Sequence, residues 1–341
     1  MKLKTALITS AVFLGTMPAM AAGDLYIYTW GEYTPPELVT KFEKEFDLKV
    51  HIDTFDSMET MLAKLRSGAG GYDIVVAGDA TVQVMVSEGM VEKIDVNAMA
   101  NYANVEDKWK DVYWDSGRSY SAPWAWGSTA LIVDTEQVKG DLNTLSVLFN
   151  PADNVKGRIN MLRDMNDVIN MAQRYLGLPR CNDKQEDMAK VLELLVAQKA
   201  WVKSYNSEFK EPMVSGESIA SMGWNGYSMR AREEKPTLAY IYPKEGYTGW
   251  MDNLVVPKGA PNLENAKHFV NFMMAPENAA MVTNYAKYSN GIKGSDAFVD
   301  AALKGAPELT PPADAPVPEF IPTCSPESVK LYDRVWTKLL N

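Results

Sequence analysis

The sequence has few of the residues that usually carry catalysis or bind transition metals. Its 341 residues include two cysteines, Cys181 and Cys324, and two histidines, His51 and His268. Two cysteines this far apart do not form a metal-binding motif, and neither histidine has a companion at ligand spacing. The pattern therefore predicts no metal site and no cofactor. In an oxidising compartment the cysteines could form a disulfide, or they could remain two buried thiols.

Motifs of the common enzyme classes are also missing. The chain has no Gly-x-Ser-x-Gly, Cys-x-x-Cys or His-Glu-x-x-His sequence and no phosphate-binding glycine loop. Paired carboxylates alone leave glycoside hydrolysis as an alternative. The sequence therefore favours a protein that is not an enzyme and has no catalytic residues.

Positive charge is scarce as well. There are 34 Lys and Arg residues against 44 Asp and Glu, for a formal net charge of −10. An acidic chain argues against a nucleic-acid partner and suits cationic ligands.

Long apolar runs are confined to the N-terminus. Lys2 and Lys4, the apolar stretch 5–17 and the small-residue pattern Ala19-Met20-Ala21 predict a signal peptide over 1–21. No later segment has the uncharged length that a membrane span needs. We therefore expect an exported, periplasmic protein.

The rest of the chain alternates between strand and helix patterns. Aromatic and β-branched residues predict strands at 25–30, 49–55 and 72–76, each followed by an amphipathic helix. A second unit of the same kind begins at 157. Such alternation predicts an α/β fold with parallel sheets covered on both faces.

Two segments are predicted to cross between the units. The stretch from 121 leads into the apolar run Thr129–Val133, and Gly249–Pro257 crosses back. Two lobes connected more than once form a hinged clam-shell with the ligand in the interlobe cleft. We predict lobe I at 22–128 plus 252–296, and lobe II at 129–251 plus 297–341. The proline-rich stretch 310–322 is expected to lack regular structure.

Several candidate ligand residues follow predicted strands. Trp30, Asp79 and Trp224 do so, and ligands of α/β sheets lie beyond the carboxyl ends of the strands. Trp250 and Asp252 are two apart in an extended segment and would share one face. A ring with a carboxylate is a receptor for an ammonium group. The alternative is an ordinary strand end with a buried Trp and a solvated Asp.

Six short segments, in this order and spacing, resemble one known family. The chain resembles the periplasmic spermidine/putrescine-binding proteins of bacterial ABC importers over nearly all of its predicted mature length. The resemblance implies a two-lobed type II periplasmic binding protein fold. The segments are Tyr28-Thr29-Trp30-Gly31-Glu32-Tyr33, Ser57-Met58-Glu59-Thr60-Met61, Tyr72-Asp73-Ile74-Val75-Val76, Trp124-Ala125-Trp126-Gly127, Gly223-Trp224-Asn225-Gly226 and Gly249-Trp250-Met251-Asp252.

The resemblance also implies residue roles. Trp224 and Trp250 would flank the methylene chain of a polyamine, and Asp252 would hold one ammonium group. Asp164 and Asp167 would hold the other nitrogens; the alternative is a helix N-cap with a first-turn acid, and both roles are compatible. Further ring contacts would come from Trp30, Tyr33 and Tyr288.

One segment departs from the family pattern. Where the family usually has Pro-Ser followed by an aromatic residue, this chain has Ala77-Gly78-Asp79-Ala80. Asp79 is either a new ligand contact or a solvated loop acid. The missing ring leaves room for another cationic amine or an amino-acid–sugar conjugate. The expected partners are the ABC permease subunits of the inner membrane, with a membrane sensor as the alternative, and the protein is expected to be a monomer.

Overall fold

The computed structural model describes residues 23–68 and 70–341, so the predicted signal peptide 1–21 lies outside the described residues. The strands are β1 Asp24–Trp30, β2 Lys49–Phe55, β3 Ile74–Gly78, β4 Ser121–Asp134, β5 Ile159–Met161, β6 Val202–Tyr205, β7 Ala220–Trp224, β8 Leu238–Ile241, β9 Thr248–Val255 and β10 Glu319–Phe320. The α-helices are α1 Pro36–Phe46, α2 Met58–Arg66, α3 Asp79–Ser87, α4 Ser146–Phe149, α5 Met165–Tyr175, α6 Gln185–Lys199, α7 Lys210–Ser215, α8 Asn225–Glu234, α9 Leu263–Met273, α10 Pro276–Ala286 and α11 Pro326–Leu340.

The outer strands of the sheet are parallel. β1 pairs in parallel with β2 and β3, and β5 pairs in parallel with β6 and β7. Each of these groups comes from alternating strands and helices, which is why a crossover can return the chain in the same direction. The predicted α/β fold with parallel strands is confirmed here.

The two crossing strands make the centre of the sheet antiparallel. β4 is 14 residues long and pairs antiparallel with β7, β8 and β9, while β9 also pairs antiparallel with β3. The expectation of wholly parallel sheets is therefore wrong at the centre. β4 and β9 run in opposite directions because one carries the chain away from the first group of strands and the other returns it.

Two large hydrophobic cores lie on either side of this centre. The first core contains Leu25, Phe42, Val75 and Leu254, and the second contains Leu131, Ile159, Val168 and Tyr332. Burial of apolar surface on both sides is the main stabilising contribution to a domain of this size. β4 and β9 run between these cores, which places their side chains where the two halves meet.

The C-terminal part departs from expectation at two points. The stretch 310–322 was expected to lack regular structure, but Glu319 and Phe320 form β10 and pair in parallel with Thr248 and Gly249 of β9. Cys181 and Cys324 form a disulfide, which decides between the two alternatives for these residues. In the part of the chain that is described, no helix is both long and apolar enough to cross a bilayer.

Candidate functional site

Asp252 of β9 is a buried carboxylate held by two aromatic side chains. The Tyr33 hydroxyl donates a hydrogen bond of 2.8 Å to its Oδ2 atom. Burial raises the pKa of Asp252 to about 7, against the lowering effect of hydrogen bonds from Tyr33 and Trp30. A buried carboxylate with a raised pKa and neutral donors gains most from an added cation.

Trp250 lies on the same side of β9 as Asp252, as the two-residue spacing predicts. Its ring meets that of Tyr288 edge to face at 5.2 Å, and Tyr288 in turn meets Tyr33 at 5.7 Å. The intervening Met251 points the other way, since its sulfur accepts from the buried Arg118. Ring and carboxylate therefore share one face, and Asp252 is not the solvated acid of the alternative interpretation.

Asp167 and Asp164 form a second acidic group, at the start of α5. The Trp224 indole donates to Oδ2 of Asp167 at 3.0 Å, and the Thr129 hydroxyl donates to the same atom at 3.2 Å. Asp164 is the N-cap and accepts from the Asp167 amide at 2.9 Å. Burial raises the pKa of Asp167 to about 8, and repulsion by Asp164 adds to this rise. The predicted N-cap is present, and it leaves carboxylate oxygens of both residues available.

Glu59 is a third acid near this group, and it is not among the residues predicted from the sequence as ligand contacts. It lies in the first turn of α2, next to the N-cap Ser57. Although its side chain is exposed, the surrounding protein raises the pKa of the Glu59 carboxyl to about 7, and repulsion by Asp164 contributes. Since α2 packs on the first core and α5 on the second, this repulsion acts between the two halves.

Trp30 and Trp224 connect the two acidic groups. They end β1 and β7, as predicted, and their ring centroids lie 5.9 Å apart. A hydrogen bond from Trp30 lowers the pKa of Asp252, and Trp224 donates to Asp167, so two neighbouring indole rings connect one carboxylate to the other. Apolar surface between separated anions is the complement of a flexible cation with apolar spacers.

Asp79 lies beside Asp252 but belongs to a helix rather than a loop. It is the first residue of α3, directly after β3, and it is buried. Its Oδ1 atom accepts from the Ala80 amide at 2.8 Å. Burial raises the pKa of Asp79 to about 7, and the Asp252 charge adds to it. The solvated-loop alternative for Asp79 is therefore wrong, because the side chain is covered.

The acids of the site have no cationic partner in the described ranges 23–68 and 70–341. The recorded salt bridges include none to Asp79, Asp164, Asp167 or Asp252. Burial raises the pKa of the Tyr288 phenol, and the nearby Arg230 acts against this rise, but Arg230 is paired with Glu32 at 3.0 Å. The arrangement can therefore accept a ligand with positive charge without displacing a protein cation.

One cavity lies outside this set of acids and rings. A cavity of about 270 Å³ lies beside Trp126, Thr283 and Leu303, and none of the predicted ligand residues lines it. Within the described residues, no group of three His, Cys, Asp or Glu side chains is arranged to hold a metal ion.

Two cores joined by β4 and β9, with acids and rings where they meet, define a two-lobed ligand-binding protein. The comparisons with known proteins agree. Residues 37–311 match the model of the family described as bacterial extracellular solute-binding protein. The chain therefore belongs to this family, and its fold is the two-lobed type II fold of periplasmic binding proteins.

Individual relatives cover most of the chain. The spermidine/putrescine-binding periplasmic protein of Salmonella typhimurium is 33% identical over 83% of this chain and 82% of its own length. The putrescine-binding periplasmic protein SpuD of Pseudomonas aeruginosa is 28% identical over 95% of each chain. A solved structure described as a spermidine/putrescine ABC transporter from Listeria monocytogenes matches with a TM-score of 0.86 and 27% identity, over 93% of this chain and 98% of that one.

Proposed function

We propose that this protein is a periplasmic solute-binding protein of an ABC importer that captures a polyamine, such as putrescine or spermidine, and delivers it to the permease. The observation that carries the proposal is the path from Asp252 through Trp30 and Trp224 to Asp167, with acids at both ends and rings between them. The names of the relatives point to the same ligand class. The proposed protein binds its ligand without altering it, and it is not an enzyme.

The ligand residues follow from the same path. Asp252, with Asp79 beside it, would hold one terminal ammonium group, and Asp164 and Asp167 would hold the other nitrogens. The rings of Trp30, Tyr33, Trp224, Trp250 and Tyr288 would cover the methylene spacers and contribute cation–π contacts of roughly 0.5–2 kcal/mol each. We add Glu59 to this set, because the charge of Asp164 contributes to the raised pKa of its carboxyl group.

Closure of the two halves is part of the proposal. Lobe I would comprise 22–128 and 252–296, and lobe II 129–251 and 297–341. Trp30 lies in the first and Trp224 in the second, so a ligand between these rings would hold the lobes together. A permease could then distinguish the loaded protein from the empty one.

Isothermal titration calorimetry with putrescine, spermidine and a neutral amino acid tests the ligand class. We expect binding of a polyamine at about micromolar affinity, equivalent to about −8 kcal/mol, and none of the neutral amino acid. Absence of heat with both polyamines, together with a positive thermal shift from an anionic ligand, would overturn the proposal.

A bulkier cationic ligand is the second candidate. A Cβ atom placed on Gly78 would touch only Asp252 Oδ1, at 3.6 Å, so this side of the site has more room than a side chain there would leave. A thermal-shift panel of substituted amines and amino-acid–sugar conjugates would detect such a ligand. Stabilisation by one of these, with no response to putrescine or spermidine, would favour this candidate.

A further inference from the structure

A short C-terminal segment joins the two halves of the molecule close to the site. We call residues 319–324 the strap. It begins as β10 beside β9, passes over the start of α3 and ends at Cys324. The strap contacts both cores, and its contacts with one core are of a different kind from its contacts with the other.

On the second core the strap is fixed by a covalent bond, and Glu319 also forms an ion pair with Arg174 of α5 at 2.7 Å. Cys324 is bonded to Cys181 in the loop between α5 and α6. That loop is itself held by α11, because the Cys181 amide donates to the Tyr332 hydroxyl at 3.0 Å and Ser328 donates to the Cys181 carbonyl at 2.9 Å. The end of the strap therefore moves with the second core.

On the first core the strap is held by hydrogen bonds and one ring. The Thr323 hydroxyl donates to the Ala80 carbonyl at 2.6 Å, and the Thr323 amide donates to Oε1 of Gln83 at 2.9 Å. The Tyr113 hydroxyl donates to the Ile321 carbonyl at 3.1 Å. Phe320 packs against Trp109 with ring centroids 5.6 Å apart. Unlike the disulfide, these noncovalent contacts can break and re-form.

The strap is also adjacent to residues of the site. Ala80 follows Asp79 in the first turn of α3, and β10 pairs with β9 at Gly249, the residue before Trp250. A Cβ atom on Gly249 would lie 2.7 Å from the Phe320 ring, so only glycine permits this approach. The strap thus lies against the segments that carry Asp79, Trp250 and Asp252.

From this arrangement we propose that the strap is a latch, tied to the second half by the Cys181–Cys324 disulfide and hydrogen-bonded to α3 through Thr323, which sets how long the site stays closed over its ligand. If the halves move apart, the Thr323 and Tyr113 bonds must break while the disulfide remains. The inference rests on the proposed function in one respect, namely that the two halves close on a ligand, and it does not depend on which amine that ligand is.

Two variants test the latch. Thr323→Val keeps the size of the side chain and the disulfide but removes the hydroxyl donor, and Cys181→Ser with Cys324→Ser removes the covalent tie and leaves the ion pair of Glu319 with Arg174. Tryptophan fluorescence in stopped flow would report release of spermidine. We expect Thr323→Val to release it about 2- to 10-fold faster, with the association rate little changed, because one neutral hydrogen bond is lost. The double variant should change the rate in the same direction.

Thr40→Val is the matched control. Thr40 makes the same kind of bond, from its hydroxyl to the Pro36 carbonyl at 3.0 Å, on an exposed face of α1. This variant should leave the release rate unchanged.

A second readout needs no ligand. Small-angle X-ray scattering of the ligand-free protein should give a larger radius of gyration for the double variant than for the wild type. If spermidine does not bind at all, the proposed ligand class fails while this measurement still tests the latch. Unchanged release and an unchanged radius of gyration in both strap variants would overturn the latch, whether or not their melting temperatures fall.

Discussion

The phenol of Tyr33 and the carboxylate of Asp252 are 219 residues apart in the chain and are joined by a hydrogen bond of 2.8 Å. Tyr33 comes from the loop after β1, and Asp252 lies in the middle of a strand that is paired on both edges. The strand fixes the position of the acid, and the loop supplies the donor that stabilises its ionised form. Both residues are therefore expected to affect ligand affinity, to different extents.

Replacing Asp252 with Asn should remove most of the affinity. The amide keeps the shape but loses the charge that balances a buried ammonium group, and such a loss costs about 2–5 kcal/mol. Calorimetry with the best polyamine should show an affinity at least about 30-fold weaker. Asp314→Asn changes the net charge equally at an exposed position and should bind as the wild type does. A normal dissociation constant for Asp252→Asn would remove this residue from the site.

Tyr33→Phe should have a smaller effect. The ring contact with Tyr288 remains, while the hydrogen bond to Asp252 is lost, which costs about 1.5–3 kcal/mol for a bond to a charged group. Calorimetry should show weaker binding than in wild type but stronger than in Asp252→Asn. Tyr285→Phe, at a partly exposed position on α10, serves as the control and should bind normally.

Trp224→Phe should show whether Trp224 acts through its aromatic ring or through its hydrogen bond to Asp167. Phenylalanine retains a ring but cannot donate to Asp167, which would then keep only the Thr129 donor at 3.2 Å. We expect weaker polyamine binding and a further rise in the pKa of Asp167, because one bond that lowers this pKa is gone. The pH at which polyamine affinity changes should therefore be higher than in the wild type. Trp336→Phe, at a partly buried position that packs against the second core, should not shift it.

Binding should release protons near neutral pH. In the ligand-free protein the pKa of Asp252 is raised to about 7 and that of Asp167 to about 8, so both carboxyl groups are partly protonated at pH 7. A cation favours the ionised form. One group with a pKa of about 7 makes binding about 10-fold weaker at pH 6 than at pH 8. Titrations in buffers of different ionisation enthalpy would measure the protons released.

The same groups determine how stability varies with pH. Because the folded pKa values lie above the usual value of the unfolded chain, the stabilising effect of protonation is present at low pH and is lost as pH rises through about 7 to 8. The ligand-free melting temperature should therefore fall between pH 5.5 and 8.5, and the ligand-induced rise should grow. A ligand-induced shift that does not depend on pH would contradict the assignment of these acids to the site.

Gly226→Ala should hinder closure of the two halves, although it removes no group that would bind the ligand. A Cβ atom there would lie 2.6 Å from the Tyr288 ring and 2.7 Å from the Lys287 carbonyl oxygen, and the latter is backbone and cannot easily yield. We expect weaker binding and a lower melting temperature, measured by calorimetry and thermal shift. Wild-type affinity in this variant would show that the close approach is not required.

The residues of the site that lie at strand ends can be predicted from the local sequence. Aromatic and β-branched residues predict where β1 lies, so Trp30 is correctly expected at its carboxyl end, and the expectation that Trp224 ends a strand is also correct. The spacing of Trp250 and Asp252 is likewise sufficient to predict their common face. These features depend on residues close together in the chain, which is why pattern alone is enough.

Other features depend on contacts that no local pattern records. Glu59 of α2 feels the charge of Asp164 at the start of α5, a long-range relationship, and its own neighbourhood shows no more than a helix N-cap at Ser57. The antiparallel centre is missed because apolar periodicity does not encode strand direction. β10 is missed because a strand of only two residues, within a proline-rich stretch, carries no strand signal until β9 lies beside it.

The double pairing of β9 has a consequence for how selectivity could change. Its backbone is hydrogen-bonded to β3 on one edge and β4 on the other, so Trp250 and Asp252 cannot be shifted without disturbing the sheet. By contrast, Gly78 and Ala80 present almost no side chain at the neighbouring strand end. A designer who wants the scaffold to accept a new amine should leave β9 alone and build substituents on those two small residues.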